Sequence, residues 1–415
     1  MLNLKLRRNP ERIKNSSGSH CTTKITIYTI KIGKLPFVIC LLLLFILIGV
    51  GCMYTELEQS QVNSMYIDSI DIQRVPISAS INHSMAIDDD GNLWAWGMNM
   101  SGQIGDDTTE DRHSPVHILD DVIAVSAGNI NMAIRNNDSL WAWGGWNVIG
   151  ELGDGTTSIR HSPIFIMDDV VAVSVSVAYT MVIRSDGSLW TWGLNSYGQV
   201  GDGTTINRSQ PVHILDGVIA ISAGLSHSMA VKSDGSLWAW GDNQFGQLGD
   251  GTTTERHVPI HIMDDVIAVS AAATYTVAIK ADNSLWAWGR TYWNDMDGNT
   301  VNDLFVPVHI MDDVIAASVG LHHVMIIRSD NSLWDWELEH RTDTEIADGA
   351  VINWRDPVHV MDDVVAVSVG SGHKVAVTAD GNLWTWGINR FGQLGDGTTE
   401  ERPYPVRIKE NVMLP

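Results

Sequence analysis

The motif LWAWG constrains this chain more than any other feature, because seven copies of it, some with a substitution, occur at a nearly fixed interval. The first tryptophans of the seven copies lie 47 to 50 residues apart, at Trp94, Trp141, Trp190, Trp238, Trp286, Trp334 and Trp384. A period of this length is typical of architectures in which each unit buries its apolar surface against its neighbours. We therefore predict one array of repeats over residues 75–415 rather than several unrelated domains.

Each unit contains four strand-like segments separated by Gly, Asp and Asn turn signals. In the fourth unit these segments are Val218–Ala223, Ser228–Lys232, Ser236–Gly241 and Pro259–Met263. The segment VIAVSA at Val122–Ala127 is apolar at both alternations, so both faces of its sheet must be covered. Seven four-stranded sheets buried on both faces predict an all-β, seven-bladed β-propeller with antiparallel blades.

The tryptophans of the motif are expected to form the structural core between blades. In LWAWG, Trp94 and Trp96 face one side of the strand, while Leu93 and Ala95 face the other. We expect all fourteen to be buried: Trp94, Trp96, Trp141, Trp143, Trp190, Trp192, Trp238, Trp240, Trp286, Trp288, Trp334, Trp336, Trp384 and Trp386.

The two ends of the array predict how the ring closes. The first unit begins at Val75 without a preceding PVHI-like strand, and the last is followed by such a strand at residues 404–410. We expect the C-terminal strand to complete the blade begun by the first strand, so that pairing of the ends closes the ring and removes exposed sheet edges.

The chain before the array has a different composition. Residues 1–34 are polar and basic, residues 35–52 are an apolar run ending in Cys52, and residues 53–74 form an acidic spacer. A basic flank followed by a short apolar segment and small residues is the order of an export signal. The ending Gly49–Cys52 resembles a bacterial lipobox, which implies lipidation of Cys52; a retained membrane anchor and a buried apolar segment are the alternatives. The first two interpretations place the array outside the cell membrane.

Charge and cysteine are distributed unevenly along the chain. Cys21, Cys40 and Cys52 all precede the array, so its repeats contain no disulfide and depend on packing. Residues 1–52 carry a net charge of +7 within a chain total of −23, which leaves −30 on the remainder. Such an acidic array disfavours nucleic acid and suits solubility or a basic partner.

The segment His227–Thr253 (HSMAVKSDGSLWAWGDNQFGQLGDGTT) resembles the repeat of the regulator of chromosome condensation family. The resemblance covers about 340 residues, and its SDGSLWAWG core and NxxGQLGDGTT turn recur together in the first, third, fourth and seventh units. The fifth unit departs from the pattern after Gly289, and the sixth has Glu337 where the others have glycine.

The resemblance implies a propeller, whereas function depends on the loops that it carries. In the nuclear member that names the family, the array is a nucleotide exchange factor for a small GTPase and docks on chromatin. Secreted enzyme-inhibitor propellers of bacteria have similar repeats and act by binding alone. An exported array favours this second role over nucleotide exchange, and a structural surface protein is a further alternative.

The recurring polar residues predict structure rather than chemistry. The Asp-Asp pairs at residues 120, 168, 264, 312 and 362 are spread around the ring, so we interpret them as turns rather than as a calcium site. The GDGTT turns lack the lysine and helix of a phosphate loop. Two histidine sets recur once per blade and are too far apart for zinc, so we expect hydrogen bonding: His117, His213, His261, His309 and His359, and His83, His227, His323 and His373. We expect no catalysis, cofactor or metal.

Residues that break the repeat are the candidates for binding a partner. Of 17 tryptophans only Trp146, Trp293 and Trp354 lie outside the motif, each in a connection before a PVHI-like strand. Loop tryptophans beside arginine have the composition of interface hot spots. The predicted partner-binding residues are Trp146, Arg290, Tyr292, Trp293, Arg341, Trp354 and Arg355, with Tyr197, Phe245 and Phe391 as weaker candidates. Together these features predict a monomeric, membrane-tethered propeller that binds an unknown protein.

Overall fold

The computed structural model describes residues 75–290, 304–321, 323–337 and 357–415. Within these ranges, 28 strands form seven sheets of four antiparallel strands each. Every sheet is built from four strands that are consecutive in the chain, which confirms the predicted all-β seven-bladed propeller. None of the residues described belongs to a helix long and apolar enough to cross a membrane. The predicted segments 1–34, 35–52 and 53–74 lie outside the described residues.

The blades repeat one pattern of strands. The first strands are β1 Ile77–Ala79, β5 Val122–Ala127, β9 Val170–Val175, β13 Val218–Ala223, β17 Val266–Ala271, β21 Val314–Val319 and β25 Val364–Val369. The second strands are β2 His83–Ile87, β6 Asn131–Arg135, β10 Tyr179–Arg184, β14 His227–Lys232, β18 Tyr275–Lys280, β22 His323–Arg328 and β26 His373–Thr378. The third strands are β3 Leu93–Gly97, β7 Leu140–Trp143, β11 Leu189–Gly193, β15 Leu237–Gly241, β19 Leu285–Gly289, β23 Leu333–Glu337 and β27 Leu383–Gly387. The fourth strands are β4 Arg112–Leu119, β8 Ile164–Met167, β12 Arg208–Leu215, β16 Arg256–Met263, β20 Leu304–Met311, β24 Val358–Met361 and β28 Arg402–Lys409.

The second tryptophan of each motif is buried between neighbouring blades. Trp240 of the fourth blade packs with Tyr179, Met181 and Leu189 of the third blade, and all four side chains are buried. The approach is close enough that a Cβ on Gly201 would lie 2.6 Å from Trp240 Nε1. Gly201 also has a φ of +89°. The GDGTT turn therefore requires glycine here both for its backbone conformation and because a side chain would collide with the Trp240 ring.

The first tryptophan of each motif is only half-buried, which differs from the expectation that all fourteen are buried. In the first six blades its ring lies in a T-shaped contact with an aromatic side chain of the fourth strand, as in Trp238 and His261, whose ring centroids are 5.8 Å apart. The difference arises because the fourth strand is the outermost of the blade, so the first tryptophan packs against an edge strand and the second against the preceding blade.

A serine in each innermost strand joins that strand to the next blade. The hydroxyl oxygen accepts a hydrogen bond from a backbone N–H one blade further on, as between Ser222 and Ala271 at 2.9 Å. The seven acceptors are Ser78, Ser126, Ser174, Ser222, Ser270, Ser318 and Ser368. The series is continuous around the ring, because Ser368 of the seventh blade bonds to Ala79 of the first.

The chain ends also meet, as expected for closure by pairing of the N- and C-terminal segments. Strand β28 remains the outer strand of the seventh blade, and the residues after it pair with the first blade. Val412 bridges Asp88 just after β2, and Met413 donates its N–H to the Ile87 carbonyl at 2.9 Å. Val412 is fully buried beside Ile77 of β1. The C-terminal tail, rather than β28 itself, thus joins the end of the chain to the first blade, whose four strands are β1 to β4.

Candidate interaction surface

Consecutive strands of a blade run in opposite directions. The turn after the first strand and the connection between the third and fourth strands therefore lie at the same end of every blade. We call this end the loop face. Its long connections are residues 98–111, 144–163, 194–207, 242–255 and 388–401. Trp146 and Arg290 occupy equivalent places at the start of their connections on this face. Tyr292, Trp293, Arg341, Trp354 and Arg355 lie outside the described residues.

Each of these five connections is held by a buried asparagine and by an ion pair whose aspartate is largely buried. In the fourth blade, Asn243 Oδ1 accepts the Leu248 N–H at 3.0 Å, and its Nδ2 donates to the Thr252 carbonyl at 3.0 Å. Asp250 accepts the Thr252 hydroxyl at 2.7 Å and pairs with Arg256 at 2.6 Å. Burial opposes ionisation of Asp250, but the hydrogen bonds from Thr252 and Arg256 outweigh it and lower its pKa. The connections are therefore rigid platforms.

Each of these connections is also hydrogen-bonded to the following blade through one of its backbone carbonyls. The Gln103 carbonyl of the first blade accepts Trp143 Nε1 at 3.0 Å and Asn131 Nδ2 at 2.7 Å, both from the second blade. Asn131 Oδ1 in turn accepts His83 Nε2 at 2.6 Å. Because Nε2 is the donor, His83 is the neutral Nε2–H tautomer, and burial lowers its pKa to about 4. The predicted hydrogen-bonding role of this histidine set is confirmed.

His227 and His373 form the same arrangement. His227 Nε2 bonds to Thr276, whose hydroxyl donates to the Gln247 carbonyl at 3.0 Å. His373 Nε2 bonds to Ser84 at 2.8 Å across the closure of the ring. Burial lowers the pKa of each imidazole to about 3, so these histidines are fixed structural donors over the physiological range.

The contact between the sixth and seventh blades replaces this arrangement with charged groups. His323 Nδ1 bonds to Asp335 at 2.9 Å, and Lys374 Nζ lies 3.2 Å from His323 Nε2 and 3.6 Å from Asp335. Lys374 takes the place that Ser84 has in the first blade, and Asp335 takes the place of Ala95. His323 is consequently the Nδ1–H tautomer, the reverse of His83.

The connections of the first three blades carry six exposed apolar side chains on the loop face. Trp146 is 64% exposed, and its Nε1 donates to Ser101 Oγ at 2.5 Å, which holds its ring against the first-blade connection that carries Met100. We call the group formed by Met100, Trp146, Val148, Ile159, Tyr197 and Ile206, all exposed, the apolar sector. Some equivalent positions in other blades carry acidic residues. In the repeat alignment Glu400 and Glu401 of the seventh blade correspond to Ser158 and Ile159 of the second.

Arg290 lies on the same face outside the apolar sector. Its guanidinium carbon is 4.1 Å from the centroid of the Phe245 ring, and its backbone N–H donates a hydrogen bond to the Thr274 carbonyl at 2.8 Å. The contact is a cation–π interaction between the fourth and fifth blades, which holds Phe245 half-buried. Of the predicted partner-binding residues that the structure describes, Trp146 therefore presents the larger free apolar surface.

The loop face surrounds a central cavity of about 160 Å³. Its walls come from all seven blades and are mainly Ala, Gly, Ser and Val at the ends of the innermost strands. Ile81, Leu225 and Leu321 are exposed at the rim. No charged side chain lines the cavity among the described residues, so this centre of the face favours apolar groups over ions.

The opposite end of the blades, which we call the turn face, has paired charges instead. The second Asp of each pair adopts positive φ, as in Asp121 at 59°, which confirms the turn prediction. The carboxylate of the first Asp accepts a hydrogen bond from a histidine of the fourth strand, as Asp120 does from His117 Nε2 at 2.8 Å. The same bond recurs in His213, His261, His309 and His359. Within the described ranges, no three His, Cys, Asp or Glu side chains are grouped as metal ligands.

Met100, Val148, Ile159 and Ile206 were not among the residues predicted from sequence. Apolar residues in a chain of strands look like core positions, and only the repeat register places these four on an exposed connection. The available signal was the difference between units, since the equivalent positions after GDGTT are Thr254-Glu255 and Glu400-Glu401 elsewhere.

Most of the array matches one known family. Residues 54–326 match the family described as RCC1-like domain, and residues 364–393 and 380–413 match the regulator of chromosome condensation (RCC1) repeat. The ultraviolet-B receptor UVR8 of Arabidopsis thaliana is 38% identical over 73 residues, which are 16% of this chain and 17% of the receptor. The match thus spans about a sixth of that relative's length.

Two solved structures share the fold. Human WBSCR16 has a TM-score of 0.64 at 19% identity, covering 77% of this chain and 94% of that one. Prp20p of Saccharomyces cerevisiae, a protein with binding properties toward Gsp1p and histones, has a TM-score of 0.64 at 18% identity, covering 82% of this chain and 89% of that one. At these identities the likeness concerns the fold alone.

Proposed function

The chain belongs to the family of RCC1-like domains, and from this premise we propose that it is a protein-binding scaffold without catalysis, whose loop face holds a partner. The observation that carries the proposal is the apolar sector around Trp146. An aromatic ring that is 64% exposed, yet fixed by a hydrogen bond to Ser101, loses little side-chain freedom when a partner covers it.

Rigidity of the loop face supports the same conclusion. The connections are held by buried asparagines, by ion pairs such as Asp154 with Arg160 at 2.8 Å, and by carbonyl bonds to the next blade. A preorganised surface binds without the entropic cost of ordering its loops. Six exposed apolar side chains on three consecutive connections of one face exceed the isolated exposed apolar residues that are normal on a protein surface.

We further propose that the array is exported and tethered to a membrane through residues 35–52. The support is in the sequence: eight basic residues precede an apolar run, and small residues follow it before Cys52. The net charge of −30 on residues 53–415 favours a partner with a basic surface.

The binding proposal is tested by recovering partners from the source cells with the tagged full chain and with two variants. Trp146→Ala removes the centre of the apolar sector, whereas Tyr404→Ala removes a side chain that is 78% exposed on the outer strand β28. We expect a discrete protein whose recovery falls about tenfold or more with Trp146→Ala and is unchanged with Tyr404→Ala. Equal recovery with both variants would remove the apolar sector from the site.

Nucleotide exchange on a small GTPase is the second candidate, and family membership is what favours it. This function requires a cytoplasmic array, whereas the tethered scaffold requires an extracytoplasmic one. Protease added to intact cells distinguishes them, because an exposed array is cleaved and a cytoplasmic array is protected. Protection would support the exchange function and reject the exported scaffold.

A further inference from the structure

The loop face carries unpaired negative charge on the seventh and first blades, and the first blade also carries Met100 of the apolar sector. Glu400 and Glu401 in the seventh blade and Asp107 in the first are exposed, and they form no ion pair within the described part of the chain. The neighbouring arginines are already occupied, since Arg402 pairs with Asp396 at 2.7 Å and Arg112 pairs with Asp106.

Glu110 belongs to the same group of charges, and Arg390 opposes it. The Glu110 carboxylate is only 3.9 Å from Arg112, whose guanidinium is closer to Asp106. Arg390 is an exposed cation at the start of the seventh-blade connection. Four carboxylates against one guanidinium leave this part of the loop face negative. We call Asp107, Glu110, Glu400 and Glu401 the acidic sector.

Backbone hydrogen bonds tie the connections that carry the acidic and apolar sectors to the following blades. The seventh-blade connection bonds to the first blade, where Gly397 donates its N–H to the His113 carbonyl at 2.8 Å. The first-blade connection bonds to the second blade in the same way, where Asp107 donates to the His161 carbonyl at 3.0 Å. Gly155 of the second blade then donates to Ser209 of the third at 3.0 Å. These bonds hold the connections of the seventh, first, second and third blades in series across the closure of the ring, and we call these four connections the rim.

We propose that this rim binds a protein segment with an apolar face flanked by lysine or arginine, its apolar side chains on the apolar sector and its cations over the acidic sector. The inference rests on the proposed binding function and specifies the chemistry of the partner. Charge complementarity selects the occupant: an acidic segment would be repelled by unpaired carboxylates, and a basic segment without apolar residues would leave the exposed Trp146 and Val148 uncovered. Charged groups at the rim of an interface chiefly set specificity and the association rate.

The test uses two synthetic helical peptides of about 18 residues, roughly five turns, with the same leucine face. One carries lysine and the other glutamate at every polar position, and binding to the full chain is measured by fluorescence anisotropy. We expect the lysine peptide to bind at least about tenfold more tightly, with affinity that falls between about 50 and 300 mM salt. Equal affinity for both peptides would overturn the proposal.

Variants of matched charge locate the binding. Asp107→Asn/Glu400→Gln/Glu401→Gln removes three of the four carboxylates of the acidic sector, and Asp216→Asn/Asp264→Asn/Asp312→Asn makes the same change in charge at three exposed positions on the turn face. We expect the first variant to weaken the lysine peptide about tenfold and the second to have little effect. Equal weakening by both variants would show general attraction to an acidic protein and reject the site.

Trp146→Ala separates this inference from the proposed function. If Trp146→Ala weakens both peptides while removing the three carboxylates of the acidic sector changes nothing, the apolar sector binds and the basic specificity is wrong. If the acidic sector matters while Trp146→Ala changes nothing, the apolar sector is not the binding site, and both proposals are wrong as stated.

Discussion

Ser368 Oγ accepts a hydrogen bond of 2.9 Å from the backbone N–H of Ala79, a residue 289 positions earlier in the chain. The same bond links every adjacent pair of blades, but here it joins the last blade to the first. With Val412 buried beside Ile77, it makes the ring closed rather than an open stack of sheets. A closed ring fixes the relative positions of the first, second and seventh blades, on which the loop-face proposals depend.

Closure predicts that the C-terminal tail is needed for stability. Removing residues 411–415 deletes buried Val412 and the bonds of Asn411 and Met413 to the first blade. We expect the melting temperature to fall by several degrees, since burying one valine contributes about 1.5–3 kcal/mol. Removing only Leu414 and Pro415, which are exposed, is the control. Unchanged melting of the longer truncation would contradict closure through the tail.

The two tryptophans of a motif should differ in their contribution. Trp240 is fully buried and donates Nε1–H to the Gln199 carbonyl at 2.9 Å, whereas Trp238 is half-buried against His261. We expect Trp240→Phe to lower the free energy of unfolding by about 2–4 kcal/mol, from a cavity and the loss of one hydrogen bond to the Gln199 carbonyl. Trp238→Phe should cost about 1 kcal/mol. Urea denaturation of the matched pair measures this, and equal losses would contradict the assignment.

Acid should destabilise the propeller well before its carboxylates are protonated. Burial lowers the pKa of His83 to about 4 and those of His227 and His373 to about 3. In the unfolded chain these imidazoles titrate near pH 6.5. Between about pH 6.5 and 4 the unfolded state therefore binds more protons than the folded state, and the free energy of unfolding decreases as the pH is lowered. Each group contributes up to about 1.4 kcal/mol per pH unit.

Chemical denaturation at intervals from pH 7 to 4.5 measures this dependence. The variant His227→Gln retains a donor toward Thr276 and should show a shallower slope, because one titrating group is removed. A free energy of unfolding that is constant over this range would show that the buried histidines do not control acid stability.

The charged contact between the sixth and seventh blades should behave as a coupled group. Lys374→Ser alone leaves Asp335 without its nearest ammonium, which is expected to cost about 1–3 kcal/mol. The double variant Lys374→Ser/Asp335→Ala restores the residues of the first blade, Ser84 and Ala95, and should recover most of that loss. A double variant less stable than either single variant would indicate that the pair stabilises the native interface.

The repeat made most of the fold predictable from sequence. The LWAWG spacing and the four segments of the fourth unit correspond to β13 to β16 with boundaries shifted by a few residues at most. The half-buried state of Trp238 was not predictable, because strand periodicity places Trp238 and Trp240 on the same side but does not show that one meets an edge strand and the other a neighbouring blade. The bonds of Ser368 and His83 likewise join residues that only the closed ring brings together.

The candidate site was predictable only in part, because function depends on departures from the repeat. Trp146 was identified because it breaks the tryptophan pattern. Met100 and Val148 are unremarkable apolar residues in sequence, and only the fold shows that they are exposed on the same face as Trp146. Arg290 was grouped with Trp146 by composition, but its contact with Phe245 ties it to the fourth blade.

The central claim is that the loop face of the first three blades binds a protein, and crosslinking in intact cells tests it most directly. A photoreactive amino acid is placed at Val148, which is 65% exposed in the apolar sector, or at Tyr404 on the outer edge of the seventh blade. We predict a discrete crosslinked protein from position 148 and none from position 404. A crosslink from position 404 with none from position 148 would contradict the claim.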